Sequence, residues 1–147
     1  MALGTVSGSV LVSQVWQNVY EVINSNVTDP KSRTKWVYSA FPQSRKGTED
    51  TFPCIVIESP TISRDNFVFG SVYRHVWSIP ISVYDTTMAT CDTVSDSVIY
   101  QIESNKGSLS PLKMFNYDIL TTPTTHVVID GNIIHEKRIE IQFEGVV

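Results

Sequence analysis

The chain has 147 residues, a hydrophobic share of 41%, a charged share of 18% and a formal net charge of -4. That length suits one domain able to bury roughly 68–70% of its unfolded surface. The acidic balance speaks against general nucleic-acid binding, and no run approaches the roughly 18 apolar residues of a membrane span. The charged share also falls below the roughly 25% usual for a free-standing monomer, with Ser, Thr, Asn, Val and Ile in its place, which suits a surface covered by partners. The segment MALGTVSGSVLVSQVWQNVY lacks the basic flank and small-residue cleavage site of a secretory signal. Cys54 and Cys91 are too few for a disulfide framework. Synthesis in the cytoplasm is the expectation.

Leu11, Val12, Val15, Trp16, Val19, Val22 and Ile23 recur at three- and four-residue spacing, which predicts a helix from about Val10 to Asn24. Ser7 or Ser9 can cap its start, and Asn24-Ser25-Asn26 followed by Pro30 ends it. Residues 28–51 differ in kind. Lys31, Arg33, Lys35, Arg45 and Lys46 stand against Asp29, Glu49 and Asp50, and Trp36-Val37-Tyr38 forms a short apolar insert that reads as a strand ended by Phe41-Pro42. A loop this long inside a small domain is usually functional or disordered, so a mobile arm or interface loop is expected.

Cys54 to Glu58 reads as a strand buried on both faces and therefore central. A turn is expected near Arg64-Asp65-Asn66, then a strand from Phe67 to Phe69, with Gly70 as a bulge or bend before the next strand. Val72 to Tyr84 alternates with period two: Tyr73, His75, Trp77, Ile79, Ile81 and Val83 share one face, and Arg74, Ser78, Pro80 and Ser82 the other. Pro80 lacks a ladder donor, which places that stretch at an edge or bulge.

A second helix is expected from Met88 or Thr90 to Ser104, with Cys91, Val94, Val98 and Ile102 inward, Asp92, Asp96 and Glu103 toward water, and Gly107 as its stop. Met114 to Leu120 reads as a strand. Thr124 to Ile129 and Asn132 to Phe143 flank Asp130-Gly131, a hairpin signal that pairs Val128 with Ile133 and His126 with His135. The hairpin, over residues 124–144, carries Val127, Val128, Ile133 and Ile134 near its tip, apolar on both sides. A neighbouring subunit or another part of the fold is expected to cover it. The result is one α+β domain over residues 1–147, a mainly antiparallel sheet with two helices packed on one face, a long loop and a C-terminal β-hairpin.

Candidate chemistry is sparse. His126 and His135 are half a zinc, nickel or copper site with no third ligand at matching spacing. Cys54, His75 and Asp85 have the residue types of a nucleophile, base and orienter, yet a cysteine inside an apolar strand behaves as a small hydrophobe. The basic loop with Trp36 and Tyr38 interleaved has the composition to stack single-stranded nucleic acid, or to dock on an acidic protein surface. Asn26-Val27-Thr28 matches a glycosylation sequon. No catalytic residue, metal site or cofactor is expected, and the sequence points to an interaction protein rather than an enzyme.

The order of helix, variable loop, Phe52-Pro53-Cys54-Ile55-Val56-Ile57, the strand from Trp77 to Asp85 running into a helix, and the closing Ile139-Glu140-Ile141-Gln142-Phe143 resembles the tail terminator (tail-completion) proteins of tailed bacteriophages and related minor tail and neck proteins. The resemblance implies a small virion subunit, assembled in the host cytoplasm, that forms a homo-oligomeric ring, usually hexameric, at the head-proximal end of the tail tube. There it ends tube polymerisation and offers a docking surface to the head connector or neck protein. It implies no membrane partner and no sequence-specific nucleic acid. Interface candidates are Lys31, Arg33, Lys35, Trp36, Tyr38, Arg45 and Lys46 of the loop, and Val127, Val128, Ile133 and Ile134 of the hairpin tip. A neck or head-completion protein is one alternative; another is a small ligand-binding α+β domain with Tyr73, Trp77 and Tyr84 lining a pocket.

Overall fold

The computed structural model describes residues 8–42, 51–66, 73–105, 114–129 and 131–146. Two helices, α1 (Gly8–Asn26) and α2 (Met88–Ser104), accompany seven strands: β1 (Val37–Tyr38), β2 (Cys54–Ile57), β3 (Thr61–Asn66), β4 (Tyr73–Asp85), β5 (Met114–Thr121), β6 (Thr125–Ile129) and β7 (Asn132–Val146). The sheet runs β1-β2-β4-β7-β5; β3 follows β2 along the same flank of β4, and β6 shares with β5 the far flank of β7. All pairings are antiparallel except that of β1 with β2. The α+β class and the mainly antiparallel sheet are as the sequence predicts.

Strand parity puts the core on one face. Trp77, Ile79, Ile81 and Val83 of β4 lie in register with Phe143, Ile141, Ile139 and Lys137 of β7. The apolar residues of that row are fully buried with Ile55 and Ile57 of β2, Val15, Val19 and Ile23 of α1, and Cys91, Val98 and Ile102 of α2. Each such side chain contributes about 1.5–3 kcal/mol on leaving water. Trp16 Nε1 donates to the Ile57 carbonyl (3.0 Å), fixing α1 over the end of β2. Thr87 caps α2, its hydroxyl accepting from Thr90 N–H (3.4 Å), and Asn105 closes the helix by donating its backbone N–H to the Gln101 carbonyl (3.0 Å). A second, smaller cluster lies on the opposite face: Phe52, Cys54 and Ile134, flanked by Tyr38, Phe41, Tyr84 and Val127.

Several local expectations change. Arg64, Asp65 and Asn66 form no turn; they continue β3 and pair with His75, Arg74 and Tyr73. Turn-prone composition yields here to the long partner strand, because pairing with β4 decides the backbone. Phe67 to Gly70 and Gly107 fall outside the described residues, as does Ser7, and Ser9 lies inside α1 rather than capping it. Pro80 is not at an edge, since β4 is flanked on both sides. Its carbonyl accepts from Glu58 N–H (3.0 Å), and the neighbouring strand leaves at Ser59-Pro60, between β2 and β3. The missing donor therefore faces a break in the ladder, which is why a central strand tolerates proline. Asp92 does not simply face water: it accepts from the Thr124 hydroxyl (2.5 Å) and pairs with Lys137 (3.4 Å).

Candidate interaction surface

The described part of the 28–51 loop is pinned to the sheet. Asp29 accepts from the backbone N–H of Lys31 (3.0 Å) and Arg33 (2.7 Å) and from the Arg33 guanidinium (2.9 and 3.0 Å). The same guanidinium donates to the Pro53 carbonyl at the entry to β2. Burial opposes ionisation of Asp29, yet these hydrogen bonds and the Arg33 charge outweigh it and hold the carboxyl below its ordinary 3.8. Arg33 is thus a structural clamp.

Trp36, a candidate for the surface, is a core residue only 3% exposed. Its carbonyl accepts from Ile55 N–H (3.0 Å), so the apolar insert joins the sheet beside β2 with the Trp36 side chain in the core rather than presented outward. Lys31 and Lys35 are exposed. Lys35 Nζ sits 5.3 Å from the centre of the half-buried Tyr38 ring, a cation–π contact at the β1 edge. Arg45 and Lys46 lie outside the described residues.

At the hairpin the registers are those the Asp-Gly signal predicts, Val128 with Ile133 and His126 with His135. Gly131 has φ +80, a conformation favoured by glycine. β4 ends at Asp85 opposite His135, so the tip overhangs the sheet. Its two faces differ. Ile134 is buried and Val127 half-buried against Phe52, Cys54, Phe41 and Tyr84, within the chain's own fold. Val128 and Ile133, opposite each other, remain 68% and 60% exposed. The expected cover is therefore intramolecular on one side; the other side of the tip is an open apolar pair.

Beyond the cluster around Phe52, Cys54 and Ile134, the face of the sheet without helices carries charged and polar side chains around the exposed Leu120. Arg138 reaches Glu58 (3.6 Å), Ser78 bonds Glu140, and Asp118 and Leu120 are exposed beside them on β5. The Arg138–Glu58 pair is half exposed and contributes at most about 1 kcal/mol.

The other constellations do not assemble into sites. Cys54 lies opposite Tyr84, next to Asp85, whereas His75 is ten residues back along β4, about 33 Å away at strand rise. Burial pushes the Cys54 and Cys91 thiols up to about 12, which leaves them unreactive at neutral pH. His126 and His135 are cross-strand neighbours, but no group of three potential metal ligands occurs among the described residues. Trp77 is buried on the helix face while Tyr84 lies on the other, so they cannot line one pocket. An open depression of about 240 Å³ beside Asn18, Glu21, Ser25 and Asn105 is polar and shallow. No described helix is long and apolar enough to cross a membrane.

No protein-family model and no curated protein sequence matches the chain. Among solved structures, a chain from the virion of a native gene transfer agent particle is similar in fold, with a TM-score of 0.56 and 12% identity over 91% of this chain and 98% of that one. The likeness is one of fold over most of both chains.

Proposed function

We propose that this chain is a structural virion subunit, and more specifically a tail terminator. Copies would form a ring on the head-proximal end of a tail tube, end its polymerisation and present a surface to the head connector. The reading is carried by the fold shared with a gene transfer agent virion chain over nearly the whole of both proteins. The exposed Val128–Ile133 pair on an overhanging hairpin agrees with it, as does the pairing of an exposed basic segment, Lys31 and Lys35, with a carboxylate-bearing sheet face. Such a surface performs work by fit: contacts between unlike patches close into a ring when the rotation between copies divides the circle.

Electron microscopy of particles made without this protein tests the assignment. Overlong tails are the expected result. Tail-less full heads beside tails of normal length would instead make it a neck protein, and unaltered particles would remove it from the virion.

A further inference from the structure

Two strand edges of the sheet that no other described strand pairs match each other. Glu58 N–H bonds the Pro80 carbonyl, so even-numbered residues of β4 turn toward β2 and β3. By alternation Thr61, Ser63 and Asp65 bond to β4, and Ile62, Arg64 and Asn66 turn their backbone N–H and C=O groups to the open edge. On the other flank Thr122 N–H bonds the Arg138 carbonyl, so Leu120 and Asp118 face β7 while Ile119 and Thr121 turn outward. The two edges overlap in level: β3 lies beside Tyr73–Ser78 of β4, and β5 spans His75–Ile81, read through β7, so they share His75–Ser78. The regular Asp118–Thr121 stretch sits at Ser78–Ile81, and copies joined through it are staggered along the strands, as tilted strands in a closed ring require.

At the shared level the strands are β3, β4, β7 and β5, alternating in direction. An even number of alternating strands has two consequences. The outer strands run in opposite directions, so β5 of one copy meets β3 of the next antiparallel. The outward-facing Ile62, Ile119 and Thr121 also carry their side chains on the helix-bearing face, being paired with Trp77, Ile141 and Ile139, so a joined sheet keeps every helix on one side. Ile62, 37% exposed, then lies on the same face as Ile119 of the neighbouring copy. Elsewhere the match is lost, because β1 offers only two residues to the β6 edge.

The geometry points to a second copy of this chain as the occupant of these edges. β3 of one subunit adds to β5 of the next by backbone hydrogen bonding, which makes one sheet continuous around the ring. A bulge between Phe115 and Asp118 limits the regular part of the β5 edge to Asp118–Thr121, so each junction is short and the ring closes through many such joints. The inference rests on the ring-forming reading above and specifies the surface it uses.

Proline at an outward position removes a donor that the isolated subunit does not use in its ladder. Ile62→Pro and Thr121→Pro are therefore expected to keep the helical circular dichroism signal and to lose assembly, raising the concentration for ring formation at least tenfold by light scattering. In the wild-type full chain, hydrogen exchange at residues 61–66 and 118–121 should slow on assembly while the exposed side of α2 is unchanged. Folded proline variants that still form rings, or edge amides that stay fast in the wild-type ring, would overturn the edge pairing and leave the ring itself standing. Should a proline variant fail to fold, the exchange measurement on the wild type decides. A wild-type chain that stays monomeric both alone and with tail tubes would overturn the ring reading and this one together.

Discussion

Asp29 and Arg33 show how one buried ion pair can organise a whole segment. Asp29→Asn removes the charge that Arg33 and two backbone N–H groups address; the expected loss is about 1–3 kcal/mol of stability, read by denaturant unfolding. Because the folded carboxyl ionises below 3.8, its contribution is fully present above that pH and lost as acid protonates the native state. The two cysteines work in the opposite direction. Their native thiols ionise near 12 against about 9 when exposed, so this contribution is complete below pH 9 and lost between 9 and 12. Ellman's reagent at pH 8 is expected to titrate neither cysteine in the folded chain and both in guanidinium. A fast-reacting thiol in the native protein would contradict the burial of Cys54 and Cys91.

Among the elements, the hairpin and the two helices were legible in sequence to within a residue or two at most ends, because each carries a strong local signal. Apolar spacing marks α1 and α2, and Asp130-Gly131 fixes the register of β6 on β7. Gly131→Ala is expected to cost about 1 kcal/mol through its positive φ alone, as the space around it is open. Thr87→Ala should cost a similar amount, about 1 kcal/mol, by uncapping α2; thermal unfolding checks both. β3 was hidden for the converse reason. Thr61–Asn66 has loop composition and owes its extended form to β4, thirteen residues long, which templates it from outside the segment. The tolerance of Pro80 was equally invisible, since it depends on where a neighbouring strand stops.

For the whole molecule, sequence conveyed the α+β class and the covered face but not which apolar residues stay outside. Val127, Val128, Ile133 and Ile134 look alike as a string; the fold buries Ile134 and half-buries Val127 against Phe52 and Phe41 while leaving Val128 and Ile133 exposed. Likewise, the basic loop contains both a clamp, Arg33, and exposed cations, Lys31 and Lys35, a distinction made only by the position of Asp29. If the tip is an assembly contact, Val128→Ser with Ile133→Ser should leave the unfolding midpoint within a few degrees and reduce docking to tail ends, counted in micrographs. Normal attachment in that double variant would confine the tip to a passive role.

The three tryptophans have a practical consequence. Trp36 and Trp77 are enclosed, and Trp16 is tied to the carbonyl of Ile57. None lies at the hairpin tip or on β3 or β5, and Trp36 and Trp77 are shielded from solvent within one subunit, so their emission reports chiefly the cohesion of a single subunit. Native fluorescence can therefore separate a variant that does not fold from one that folds but stays solitary, without an added label.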